Sequence, residues 1–260
     1  MPRFSSLGLA VASTLTLFVS PSIGCGPRSG TDVGNGATVT FDARAFERKP
    51  KAQERSLVLE SGDRVDELWV VVEKFRLGRT GACEGDADVE DIAAEGPFVA
   101  EILEGGILGA LPTAEVAPGA YCRLRLDLHE LREDEIPAGA PADLAGYAVL
   151  VRGARADGVP FVVRSKQGVE FKLDAKSESF EVSDGVPFLL GVELGALIDS
   201  LELATLEGPS IVIDPESNEQ ALSNFRDALR ESMRLFEDRD GDGALSETES
   251  AESEELAIGE

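Results

Sequence analysis

The spacing of apolar residues changes once along the chain, and this change most constrains the fold. From residue 37 to about 207 apolar residues tend to recur at every second position, as in Cys122–Leu128 (CRLRLDL), which is typical of half-buried strands. In residues 65–77 the alternation shifts register at Lys74, which predicts one long strand with a bulge. No segment of helical period separates the strands, so alternating βα units are disfavoured. The pattern predicts a mainly β fold, with an antiparallel β-sandwich over residues 37–207.

Beyond residue 214 the spacing becomes that of an amphipathic α-helix. The apolar residues at this spacing form one stripe: Leu222, Phe225, Leu229, Met233 and Phe236. Ser217 and Gln220 have the spacing of a capping box, which marks the start of a helix. We therefore expect a helix over about 218–237, packed against the sandwich, at the start of a C-terminal domain of residues 208–260.

The charge of the chain excludes one class of partner. Lys and Arg total 24 against 49 Asp and Glu, which gives a formal net charge of -25. Such a chain would repel a phosphate backbone, so no nucleic-acid partner is expected. A surplus of carboxylates suits divalent cations and an extracellular setting, although it also serves solubility alone.

The N-terminus has the form of a secretory signal. Arg3 precedes an apolar run from Phe4 to Val19, and residues 1–24 contain no acidic residue. The run of about 16 residues is shorter than the ~20 that a transmembrane helix needs. Residues 1–24 are therefore predicted to be a signal peptide, and the Gly-rich residues 25–36 a flexible tether.

The residues before the first cysteine point to a lipid anchor. Ser22-Ile23-Gly24-Cys25 resembles the lipobox of bacterial lipoproteins, although Ser22 stands where Leu is usual. The resemblance implies that Cys25 is diacylated and becomes the mature N-terminus, which would tether the protein to a membrane. Gly26 after the cysteine then implies the outer membrane or cell surface, with the periplasm as the alternative. Simple cleavage by the ordinary signal peptidase remains the other interpretation of this segment.

A metal-binding pattern lies between residues 238 and 249. Calcium takes six to eight oxygen ligands, which a twelve-residue loop can supply from positions 1, 3, 5, 7, 9 and 12. The residues at these positions are Asp238, Asp240, Asp242, Ala244 through its carbonyl, Ser246 and Glu249. With Gly243 at the turn and Leu245 after position 7, the loop resembles an EF-hand, and the resemblance implies bound Ca²⁺ in a helix-loop-helix. EF-hands normally occur in pairs and no second loop is present, so the loop either stays single or pairs with another copy; the oligomeric state is left open.

The other two cysteines suggest a disulfide. Lipidation of Cys25 would leave Cys83 and Cys122 in an exported chain, where an oxidising compartment favours a bridge between them. Two separate buried thiols are the alternative.

The sequence favours binding over catalysis. His129 is the single histidine, it falls in a predicted strand, and a second zinc-ligand His is missing from the segment that follows it. We expect no enzyme, but a calcium-dependent surface or adhesion module whose sandwich binds a polysaccharide or a protein. The alternative is a secreted carbohydrate- or peptide-active enzyme in which calcium is only structural.

Overall fold

Strands make up most of the regular structure, as the period-two spacing predicts. The computed structural model describes residues 37–46, 57–80, 83, 90–103, 106–166, 168, 170–246, 248–251 and 254–259. The predicted signal peptide (1–24), Cys25 and the predicted tether (25–36) lie outside the described residues. The strands are β1 (Ala37–Phe46), β2 (Leu57–Val58), β3 (Arg64–Arg79), β4 (Glu90–Glu101), β5 (Gly106–Ile107), β6 (Thr113–Val116), β7 (Gly119–Leu128), β8 (Val149–Ala154), β9 (Pro160–Ser165), β10 (Glu170–Ala175), β11 (Phe180–Val182), β12 (Pro187–Glu193), β13 (Ile211–Ile213), β14 (Met233–Glu237) and β15 (Ala257–Gly259). The helices are α1 (Leu194–Asp199) and α2 (Glu219–Ser232), with 3₁₀ turns at Glu133–Glu135, Ala142–Leu144 and Leu203–Thr205.

The strands form one curled, mixed sheet. Its main order is β13-β9-β8-β3-β7-β10-β15-β14-β12-β1-β6. Most neighbours are antiparallel, but β1 pairs with β12, and β13 with β9, in parallel. The prediction of a mainly β fold is confirmed, whereas the predicted antiparallel arrangement is wrong for these two pairs. The alternation of apolar residues reports which face of a strand is buried, and it contains no information on the direction of the neighbouring strand.

The long strand β3 confirms the predicted bulge. It pairs with β2, β4, β7 and β8. Its register with both β4 and β7 shifts between Val72 and Lys74. An extra residue at this point lets the strand bend, which suits a sheet that curls over its own core.

Both α-helices pack on the main hydrophobic core. Leu222, Phe225 and Leu229 of α2 are buried, and Leu194, Leu197 and Ile198 of α1 join the same cluster. At ~25 cal/mol per Å² of apolar surface removed from water, each such side chain stabilises the fold by about 2 kcal/mol. Neither helix is long and apolar enough to cross a membrane, among the residues that the structure describes.

The predicted extent of the C-terminal helix is wrong at its end. Helix α2 stops at Ser232, and Met233 and Phe236 lie in β14, where both are fully buried. A run of closely spaced apolar residues fits either structure, and here β12 and β15 supply backbone partners on both sides of β14. The capping box is absent as well, since α2 begins after Asn218, whose backbone is left-handed and whose side chain makes no capping bond.

The C-terminal strand β15 joins two parts of the sheet. It lies between β10 and β14 and pairs antiparallel with both. Ala257 is fully buried, and the buried carboxylate of Glu255 lies 2.9 Å from Lys176 Nζ and 3.5 Å from Arg234 Nε. The last described residues are therefore part of the sheet, and the predicted metal loop forms the connection from β14 to β15.

Candidate metal centre

The predicted calcium loop follows a strand. Residues 238–249 begin directly after β14, and residues 248–250 form turns. The two flanking helices of an EF-hand are thus not found in the described part of this segment. The likeness to an EF-hand concerns the loop alone, since the entering residues 233–237 are held in the sheet.

Three aspartates of the loop converge. One carboxylate oxygen from each of Asp238, Asp240 and Asp242 lies within 4.8 Å of the other two. Oxygens bound to one calcium ion at 2.3–2.6 Å can be no more than about 5 Å apart, so this spacing fits a shared ion. Asp238 is 5% exposed, whereas Asp240 and Asp242 face solvent. The cluster therefore combines a buried ligand candidate with an open side from which an ion could enter.

The aspartate side chains also shape the loop. Asp238 Oδ1 accepts a hydrogen bond from the Gly241 N–H at 2.8 Å, and its Oδ2 accepts one from the Gly243 N–H at 2.9 Å. Asp242 Oδ1 accepts one from the Ala244 N–H at 2.7 Å. Gly243 has φ +71°, a left-handed conformation that glycine adopts without the strain of a side chain. The glycine predicted to allow the sharp turn does lie at such a turn.

Glu249 folds back across the loop. Its side chain is buried; Oε1 accepts from the Arg239 N–H at 2.9 Å, and Oε2 accepts from Ser246 Oγ at 2.7 Å and from the Ser246 N–H at 3.1 Å. The Ser246 hydroxyl, followed by the backbone donors, lowers the pKa of Glu249 and keeps it ionised. Glu249 is not one of the three clustered carboxylates, and because Oε2 already accepts two hydrogen bonds, it would bind a cation by exchanging hydrogen bonds for the ion.

The neighbouring carboxylates of the loop help to raise the pKa of Asp240. The Asp242 N–H lowers the pKa of Asp240, but desolvation and the carboxylates of Asp242, Glu249 and Asp238 outweigh it and raise the pKa above its ordinary value. Carboxylates that raise the pKa of a neighbour repel one another, and a divalent cation among them would remove this repulsion.

Of the six predicted ligands, the structure thus clusters Asp238, Asp240 and Asp242 and links Ser246 to Glu249, while Ala244 follows in the same loop.

A cleft beside the loop contains residues that the sequence analysis missed. It encloses about 420 Å³ and is bounded by the loop, β1 and the start of β12, with these lining residues: Thr40, Asp42, Arg44, Leu111, Pro187, Phe188, Leu189, Asp238, Gly241, Asp242 and Gly243. Arg44 Nη2 lies 2.8 Å from Asp42 Oδ2, and both side chains are mostly buried. The sequence feature that could have indicated this cleft is the charge of Asp42 and Arg44, at alternate positions of β1. Solvent-facing residues of a strand show the same pattern, so the feature is not specific.

Two further predictions can be compared with the structure. Cys83, just after β3, and Cys122, in β7, form the predicted disulfide, with Cα atoms 6.3 Å apart. His129 is 56% exposed and lies 3.4 Å from Glu73 Oε2, and the strand predicted to contain it, β7, ends one residue before it. The site assignment rests on the chain's own residues, since comparison with protein-family models, curated proteins and solved structures finds no match.

Proposed function

We propose that the protein is an exported calcium-binding surface lipoprotein whose loop 238–249 holds one Ca²⁺. The observation that carries this proposal is the convergence of three aspartate oxygens within 4.8 Å, inside a loop with ligand residues at every calcium-binding position. The β-rich part of the chain, which the sequence analysis assigned to a sandwich, then acts as a ligand-binding or adhesion module.

The donor set supports calcium among the divalent cations. Carboxylate, hydroxyl and carbonyl oxygens are hard ligands, and no His or Cys lies within residues 238–249 to attract a softer metal. Magnesium needs six short octahedral bonds, which suit a loop that offers seven oxygens, two of them from Glu249, less well. Extracellular calcium modules have dissociation constants of ~10⁻⁴–10⁻³ M, and we expect this range here.

Export and anchoring complete the proposal. The disulfide between Cys83 and Cys122 supports an oxidising compartment, in agreement with the predicted signal peptide. Acylation of Cys25 would hold the protein at the outer membrane or cell surface. We propose binding and not catalysis as its activity, because the single His129 is exposed beside Glu73 and no nucleophile accompanies it among the contacts of the described residues.

Isothermal titration of calcium into the chain lacking residues 1–24 tests the metal site. We expect binding with a dissociation constant of ~0.1–1 mM, and a loss of at least tenfold in affinity for Glu249→Gln, which removes a charged ligand. Glu216→Gln changes an exposed carboxylate outside the loop and should bind calcium as the parent does. No heat up to about 10 mM calcium, or equal affinities for the parent and Glu249→Gln, would contradict the assignment.

A further inference from the structure

The cleft beside the metal loop has the properties of a ligand site. We propose that it binds a neutral carbohydrate, whose hydroxyl groups bond to Asp42, Arg44 and Thr40 while its apolar face packs on Leu111. This inference rests on the proposed function, because the calcium loop forms one wall of the cleft. Its volume of about 420 Å³ lies in the range of small-molecule sites.

The polar groups of the cleft are held in place before any ligand arrives. Asp42 Oδ1 accepts hydrogen bonds from the Ala43 N–H at 2.8 Å and the Ile107 N–H at 3.0 Å. Arg44 donates to the Ala43 carbonyl at 2.9 Å and packs against Gly106, where a Cβ would collide with its Nη1. Groups fixed in this way bind a ligand without losing side-chain freedom, which is the advantage of a preorganised site.

The chemistry of this pair suits hydroxyl groups. The Asp42 carboxylate accepts, the Arg44 guanidinium donates, and the two lie side by side. Arg44 has five N–H donors, and the contacts to Asp42 and Ala43 leave others for a ligand. A hydroxyl both donates and accepts, so two neighbouring sugar hydroxyls can satisfy the acceptor and the donor together.

An apolar contact accompanies the polar ones. The side chain of Leu111 is exposed, at 42%. Among the large hydrophobic residues of the described chain, Val58, at 39%, is the only other exposed one. Leu111 and Pro187 both line the cleft, whereas Val58 does not. An exposed apolar side chain at the edge of a polar cleft suits the C–H face of a sugar ring.

The charge of the site argues for a neutral ligand. Asp42 and Arg44 balance each other, and the five carboxylates of residues 238–249, with Arg239 as the single basic residue among them, outweigh the two positive charges of one calcium ion. With a formal net charge of -25 on the chain, an anionic sugar is repelled. A cationic ligand would be drawn to the same carboxylates as calcium, so calcium would displace it.

Retention on immobilised polysaccharides tests the inference with the chain lacking residues 1–24. The probes are the neutral dextran, mannan and arabinogalactan, the anionic polygalacturonate and the cationic chitosan, each with 5 mM calcium and with a chelator. We expect calcium-dependent retention on a neutral probe, none on polygalacturonate, and on chitosan only the retention that the net charge of -25 causes, which the cleft variants leave unchanged. Leu111→Asp and Thr40→Val should each weaken retention at least tenfold, while calorimetric calcium binding persists. Val58→Asp, the matched control, should behave as the parent.

The outcomes separate this inference from the calcium proposal. A protein that binds calcium by calorimetry but is retained on no neutral probe overturns the carbohydrate inference and leaves the metal site intact. Retention on the neutral probe that Leu111→Asp leaves unaffected, or chitosan binding that Leu111→Asp abolishes, also overturns it. Loss of calcium binding itself would overturn the proposed function, because that measurement is made without any sugar.

Discussion

Arg44 shows how a residue without a side chain, Gly106, leaves room for the side chain of another. The guanidinium lies against Gly106, where a Cβ would overlap with both Arg44 Nη1 and Asp42 Oδ1. Gly106 also has a left-handed backbone, with φ +68°. Any side chain at this position would displace the Asp42–Arg44 pair, so the arrangement of the cleft depends on a residue without one.

Gly106→Ala should therefore be more destabilising than a matched glycine substitution. Gly109→Ala is the control, since Gly109 has φ +87° but nothing within 4 Å of a Cβ. Left-handed strain should lower the free energy of unfolding of Gly109→Ala by about 1–2 kcal/mol. Gly106→Ala should lose about 1–3 kcal/mol more, because hydrogen bonds to charged groups are broken as well. Denaturant titration measures both, and equal losses would show that Arg44 is not held by Gly106.

At the scale of elements, the metal loop and β15 are coupled through the chain. Between Glu237 and Glu255 there are nine acidic residues and one arginine, so these residues repel one another without a cation. The same segment connects β14 to β15, and β15 is the strand between β14 and β10. A cation that orders the loop should also favour docking of the C-terminal strand.

Hydrogen exchange with and without calcium tests this coupling. The Leu256 N–H donates to the Leu235 carbonyl at 2.8 Å, and the Lys176 N–H donates to the Leu256 carbonyl at 3.0 Å. We expect calcium to slow the exchange of both amides by at least tenfold, since exchange requires local opening. Unchanged exchange at a saturating calcium concentration would contradict the coupling.

A variant at the end of β15 separates docking from metal binding. A Cβ on Gly259 would collide with the Arg230 carbonyl at the end of α2, so Gly259→Ala should lose the protection of these amides. It changes none of the proposed metal ligands and should still bind calcium, although more weakly. Ile258→Ala alters a half-exposed side chain of the same strand and serves as the control.

At the scale of the whole molecule, the function proposed here depends on position at a membrane. Acyl chains contribute about 0.8 kcal/mol per buried methylene group, and two chains anchor a protein stably where one does not. The full-length protein expressed with its signal should partition into the detergent phase, and Cys25→Ser should remove this partitioning. Cys83→Ser leaves Cys25 in place and is the control for loss of a cysteine. Unchanged partitioning of Cys25→Ser would refute the lipid anchor.

The arrangement of residues 238–249 could be predicted because its parts are close in sequence. Asp238, Asp240 and Asp242 converge within one short loop, and the turn at Gly243 follows from a local conformational preference. The helix end could not be predicted in the same way. Met233 and Phe236 fit an apolar helix stripe, yet both pair with β12, and the residues between them pair with β15. Long-range backbone pairing thus outweighed the local pattern.

The sequence by itself determined the mainly β character, the bulge at Lys74 and the local geometry of the aspartate loop, because each depends on neighbouring residues. The tertiary structure alone decided the parallel pairing of β1 with β12 and the position of Thr40, Asp42 and Arg44 beside that loop. These residues lie about 200 positions before Asp238, and no periodicity or spacing relates segments so far apart. Their proximity arises from the order in which strands pair, which is set by the burial of the whole core.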